Sequence, residues 1–274
     1  MRITICLGWV LSLCVAASAA EPVIEDLKFV ATIDSTEQKY VTLTPPELDL
    51  TVPFDVLIAL HGHGADRWQF VNEGRDECRA ARDVAIKHRM LFVSPDYRAR
   101  TSWMGPAAEA DLVQLIETLK KNHPVQHVYL CGGSMGGTGA LTFSALHPEL
   151  IQGCTAMNGT ANLLEYENFL DAIHESFGGD KKTIPEEYKK RSAEYWPERL
   201  TMPIGMTTGG QDTFVPPFSV QRLAKILKQL DRRVLLIHHE EGGHETNYAD
   251  AIQILEHILS AESKSVGRGE PASP

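Results

Sequence analysis

Ser134 stands in the run Gly132-Gly133-Ser134-Met135-Gly136-Gly137. A serine hydroxyl attacks a carbonyl effectively only when a base removes its proton. That base is usually a histidine, kept in one tautomer by a carboxylate. Two later runs offer these groups. Asp212 follows Thr207-Thr208-Gly209-Gly210-Gln211, and His244 follows His238-His239-Glu240-Glu241-Gly242-Gly243. Together Ser134, Asp212 and His244 would transfer an acyl group to water. Competing readings are local ones: a glycine-rich turn at Ser134, a turn or helix N-cap at Asp212, and His238 or His239 as the base.

Acyl transfer also needs two N–H donors where negative charge gathers on oxygen. Met135, the residue after the nucleophile, supplies one backbone donor. The second is expected from His61-Gly62-His63-Gly64-Ala65-Asp66, with the His63 N–H as candidate. The His61 and His63 side chains are read as supports of that loop. Trp68 and Trp103 lie in loops expected near the same edge and are candidate substrate-binding residues, with core packing as the competing role. Arg98 and Arg100 could meet an acidic substrate or simply be solvated. The histidines and carboxylates around His238, His239 and His244 match no H-E-x-x-H spacing, so no metal is expected. The glycines around Ser134 fit neither G-x-G-x-x-G nor a P-loop, so no nucleotide cofactor is expected either.

The elements that must position these groups alternate in type. Apolar and β-branched runs predict strands over Asp26–Ile33, Gln38–Thr44, Val56–Leu60, Met90–Val93, His127–Cys131, Ile151–Met157, Ile204–Thr208 and Arg233–His238. Between them, helices are expected over Arg75–His88, Ala107–Asn122, Gly136–His147, Phe218–Leu230 and Tyr248–Ser260. In the second of these, Leu112, Leu115, Ile116 and Leu119 form one stripe. This order predicts an α/β fold with a mostly parallel central sheet, helices on both faces and an antiparallel edge. The alternation pauses over residues 160–200, where Tyr166, Phe169, Phe177, Tyr188, Tyr195 and Trp196 are scattered; this reads as a small cap inserted over the sheet's C-terminal edge.

The chain ends read differently from its middle. Residues 1–20 place Arg2 before an apolar run and then Ala17-Ser18-Ala19, the pattern of a secretory signal peptide cleaved after Ala19 or Ala20. The apolar run is short for a membrane span. The expectation is a secreted or periplasmic protein, with one hydrolase domain over 21–262 and a disordered tail over 263–274. Cys6 and Cys14 leave with the leader; Cys78, Cys131 and Cys154 match no zinc spacing and read as buried free thiols. Asn158-Gly159-Thr160 is a glycosylation sequon, meaningful only in a eukaryotic secretory pathway. With 43% hydrophobic residues the chain can build a sizeable core. A net charge of -10 argues against nucleic acid or an anionic membrane as the main partner.

These motifs and their order resemble the α/β-hydrolase superfamily over roughly residues 38–260. Leu60-His61-Gly62-His63-Gly64, the Ser134 run, Gly-Gly-Gln-Asp212 and Gly-Gly-His244 carry the resemblance, and the order Ser, Asp, His is that of the superfamily. Within it, the chain is similar to small exported esterases, such as feruloyl and acetylxylan esterases, polyhydroxybutyrate depolymerases and the phospholipase/carboxylesterase group. The resemblance implies ester hydrolysis through an acyl-enzyme, without a cofactor, on a small-molecule or polymer-borne ester. A serine peptidase of the prolyl-peptidase type and a non-catalytic binding member of the fold remain as alternatives.

Overall fold

A computed structural model of the chain describes residues 21–260. The expected signal peptide, the tail, Cys6 and Cys14 lie outside the described residues. The first two strands, β1 (Val23–Val30) and β2 (Glu37–Thr44), form an antiparallel hairpin. The chain leaves β1 earlier than the apolar pattern suggests. Ala31–Ser35 closes a turn in which Asp34 accepts from both the Thr36 amide and the Thr36 hydroxyl.

The rest of the sheet follows the expected alternation: β3 (Phe54–Leu60), β4 (Leu91–Pro95), β5 (Val125–Gly133), β6 (Gly153–Met157), β7 (Ile204–Gly209) and β8 (Val234–His239). Among the described residues, eight strands order as β1-β2-β4-β3-β5-β6-β7-β8. β2 runs antiparallel to β4, and the pairs from β4 to β8 are parallel. Parallel strands with both faces covered read as continuous apolar runs, as β3 and β6 do.

Alternate residues of β3 divide between two cores. Val56, Ile58 and Leu60 face one cluster, and Leu57 and Ala59 the other. The first cluster lies under α3 (Pro106–Asn122), α4 (Met135–Leu146) and α7 (Phe218–Gln229). The second lies under α2 (Asp76–Lys87) and α8 (Tyr248–Leu259), which pack on each other. A one-turn helix, α1 (Gln69–Asn72), precedes α2 and has no clear sequence pattern. Cys78, Cys131 and Cys154 are buried free thiols. Burial pushes the Cys78 and Cys154 pKa values up to about 12, which keeps them protonated.

Residues 160–200 carry α5 (Leu170–Phe177), α6 (Pro185–Lys190) and two short 3-10 turns. Despite its polar composition, the segment belongs to the core. Leu163, Ile173, Phe177 and Tyr188 join the first cluster. Arg191, fully buried, donates to the Met104 carbonyl and pairs with Glu109 and Glu187. Apolar side chains spaced among charges gave no periodicity to read, yet they bury together once the ion pairs form.

Candidate active site

Ser134 sits where β5 turns into α4, at the centre of the sheet. Its φ of 57° and ψ of -120° are rare for a residue with a side chain and lift the hydroxyl above the strand ends. The turn is possible because its glycines are in near contact with backbone. A Cβ on Gly136 would overlap the Leu60 carbonyl, and one on Gly132 would overlap Gly136. The Ser134 N–H donates to the Met157 carbonyl at 2.8 Å, which ties the turn to β6.

Asp212 and His244 arrive from the ends of β7 and β8. Gly209 and Gly210 meet the backbone of residues 240–243 so closely that a side chain at either would collide. The two loops are therefore laced together, with the Gln211 N–H donating to the Gly242 carbonyl at 2.8 Å. Asp212 is buried. Its Oδ1 accepts from the Phe214 and Val215 amides, both at 2.9 Å. Its Oδ2 lies 2.6 Å from His244 Nδ1, and His244 Nε2 lies 2.9 Å from Ser134 Oγ. The structure thus brings the three predicted side chains into one hydrogen-bonded chain. His238 and His239 stay apart from it: His238 meets Thr208 and Glu240, and His239 meets Asp250. Among the described residues, no group of histidines, cysteines and carboxylates could hold a metal ion.

The loop after β3 leaves the His63 amide free. Gly62 N–H donates to Gln69 Oε1 at 2.7 Å and Gly64 N–H to the Arg100 carbonyl at 2.7 Å, whereas His63 N–H has no partner among the described residues. Met135 is the first residue of α4, where amides lack helical acceptors. The two predicted oxyanion donors are therefore both available. The His61 ring nitrogens lie 2.8 Å from the Gly62 carbonyl and 3.2 Å from that of Asp96, and burial pushes its pKa down. His63 Nδ1 accepts from Trp103 Nε1–H at 3.1 Å, which leaves any proton of the neutral ring on Nε2; burial lowers this pKa too.

Both tryptophans take the packing role that competed with substrate binding. Trp103 is 0% exposed and stacks within His63, Tyr166 and Phe169, so it buttresses the oxyanion loop and offers a substrate no surface. Trp68 packs against the second core cluster with the Arg67 guanidinium over its ring, and does not line the cavity at Ser134. Arg98 is spent on Asp34 and Asp111, and Arg100 donates to the Gly64 carbonyl.

The surface around Ser134 comes largely from residues that carry no motif. A cavity of about 30 Å³ beside Ser134 and His244 is lined by Gln69, Glu77, Asn158 and Thr246 among others. It adjoins a cleft of about 530 Å³ between the start of α2 and the loop after β8, with Arg75, Asp76, His239 and Asn247 among its lining. Near the base, Phe214 is 58% exposed, with its ring centroid 5.6 Å from that of His244. Asn158 is only 5% exposed, so the sequon lies inside the folded protein, where no glycan fits.

Residues 56–187 match the family model of the alpha/beta hydrolase fold. This is an α/β-hydrolase-fold protein. Solved structures with the same fold include an S-formylglutathione hydrolase from Agrobacterium tumefaciens, at 16% identity and TM-score 0.69, over 92% of this chain and 98% of that one. A fluorophosphonate-binding serine hydrolase from Staphylococcus aureus aligns at 14% identity and TM-score 0.66, over 88% of this chain and 98% of that one. A structure named as a candidate dipeptidyl aminopeptidase IV from Bacteroides ovatus aligns at 19% identity and TM-score 0.69, over 87% of this chain. This chain spans only 35% of that protein's length. No curated protein matches the sequence. On this fold the hydrogen bonds of the chain itself link Ser134, His244 and Asp212.

Proposed function

We propose that this α/β-hydrolase-fold protein is a serine hydrolase that cleaves carboxylic esters through an acyl-enzyme. The observation that carries the reading is the chain Ser134–His244–Asp212, linked at 2.9 and 2.6 Å. His244 Nε2 takes the Ser134 proton as Oγ bonds to the ester carbon. The His63 and Met135 amides receive the charge on the carbonyl oxygen. His244 then protonates the leaving alcohol, and water repeats the sequence to release the acid. Asp212 orients His244 and stabilises its charged form. The leader-like residues 1–20 support action outside the cytoplasm.

A second reading, cleavage of amides, is favoured by the likeness to the dipeptidyl aminopeptidase structure. The test is hydrolysis of p-nitrophenyl esters from acetate to octanoate by the protein and by Ser134→Ala. Activity lost in the variant is expected. Activity equal in both contradicts the mechanism, and turnover of amide but not ester substrates moves the reading to a peptidase.

A further inference from the structure

Asn158 is the first residue after β6, and its neighbours place it beside the nucleophile. Met157 is the register partner of Gly133, so Asn158 is level with Ser134 across the β5–β6 ladder. Adjacent strands lie about 4.8 Å apart. The Asn158 N–H donates to the Thr207 carbonyl of β7 at 3.1 Å, which holds the residue from its other side. Its φ of 49° is left-handed, a conformation that asparagine tolerates better than most residues and that recurs at functional sites.

The side chain has no structural task to explain this. Asn158 is 5% exposed, and its Oδ1 is buried without a hydrogen-bond partner. A buried amide oxygen left unpaired is destabilising, so such a group calls for an explanation. The residue lines the cavity of about 30 Å³ that Ser134 and His244 also line. A space of that size takes one water-sized group. Three other polar side chains on its wall are occupied. Gln69 Oε1 accepts from Gly62, the Thr246 hydroxyl is paired with that of Thr207 at 2.6 Å, and Glu77 is ion-paired with Arg75 at 2.9 Å.

We propose that the Asn158 carboxamide positions the water that releases the acyl group from Ser134. This rests on the serine-hydrolase reading above and adds a positioning residue to its second half. The water oxygen bonds to the acyl carbon as one of its protons passes to His244 Nε2. The amide holds the water by its remaining hydrogen-bonding capacity. Collapse of the intermediate breaks the Ser134 Oγ–acyl bond and returns the proton to Oγ, releasing the carboxylic acid. In this account Asn158 has no part in forming the acyl-enzyme.

The test separates the two halves of the cycle with p-nitrophenyl acetate in stopped flow. In Asn158→Ala, the burst of p-nitrophenolate keeps the wild-type rate constant, and its amplitude counts the intact sites whatever fraction of the variant folds. Steady-state release falls about 10–100-fold, the loss expected when a reactant is no longer held in place. Acetyl-Ser134 accumulates and is read by peptide mass. Hydroxylamine, a stronger nucleophile that needs less positioning, restores turnover. Asn158→Asp, which keeps the side-chain shape and an acceptor, recovers part of the loss. Equal loss of burst rate and steady state, or no change in either, overturns the proposal while leaving Ser134 chemistry intact. Absence of any Ser134-dependent turnover in the unaltered protein overturns the hydrolase reading and this one with it.

Discussion

Ser134 and His244 are held in place by different means. Ser134 is fixed by exclusion: it sits mid-sheet between β5 and α4, and the glycines around it touch backbone on several sides. His244 is carried by β8 at the sheet's edge, where Val234–Ile237 are half-buried, and its own neighbour Gly243 faces open space. Its position depends on hydrogen bonds to Asp212 and on the lacing of the loops after β7 and β8. One half of the site, the turn at Ser134, is therefore built by packing, and in the other the side chains of Asp212 and His244 are held by polar contacts. Substitutions in the first should damage structure and activity together, and substitutions of those two side chains activity alone.

The largest expected effect tests the polar half. Asp212→Asn keeps an oxygen for the Phe214 and Val215 amides but turns an N–H toward His244 Nδ1. The imidazole then carries its proton on Nε2 and cannot accept one from Ser134. Ester turnover should fall by about 10⁴-fold, with an unchanged melting temperature. A matching loss of stability would show that Asp212 belongs to the packed half.

Gly136→Ala tests the packed half. Its methyl would overlap the Leu60 and His61 carbonyls, which belong to rigid backbone. We expect about 3 kcal/mol of destabilisation in a urea titration, together with loss of activity. Full activity with native stability would mean that the elbow yields more easily than its contacts imply.

Glu109→Gln probes the support behind the site without touching it. Glu109 holds buried Arg191 at 2.7 Å and His147 at 2.9 Å. Although burial opposes its charge, these partners prevail and bring its pKa down to about 2. A carboxylate with a depressed folded-state pKa stabilises the fold above its unfolded value, near 4.5. That contribution is lost as pH falls through 4.5 toward about 2. The variant should lose about 3 kcal/mol at pH 7, because Arg191 loses one of its charge partners, and less near pH 3. An equal loss at both pH values would assign the effect to packing.

The smallest effect is expected at Gly243→Ala. No neighbour lies within 4 Å of the added methyl, so stability should change by less than about 0.5 kcal/mol. Comparing it with Gly136→Ala measures directly how differently the two turns are held.

The sheet, and the three side chains Ser134, Asp212 and His244 that the structure brings together, were legible because each depends on local pattern. Strand–glycine–helix order marks Ser134, and paired glycines mark the turns before Asp212 and His244. The rest was hidden because it depends on contacts between distant segments. Trp103 looks like a cleft residue in sequence, but the Tyr166 and Phe169 rings bury it. Asn158 looks like a surface sequon, yet its register against Ser134 puts it at the site. The 160–200 segment looks polar because its charges, such as Arg191, become internal only when Glu109 arrives from α3. Phe214 has no motif at all, and only the position of the His244 ring gives it meaning.

Covalent labelling by an alkyl fluorophosphonate, read by peptide mass, tests whether Ser134 is a nucleophile activated by His244. A single adduct is expected, on Ser134, formed by the unaltered protein and lost in His244→Ala. No adduct, an adduct at another residue, or labelling of Ser134 that persists undiminished without His244 would contradict it.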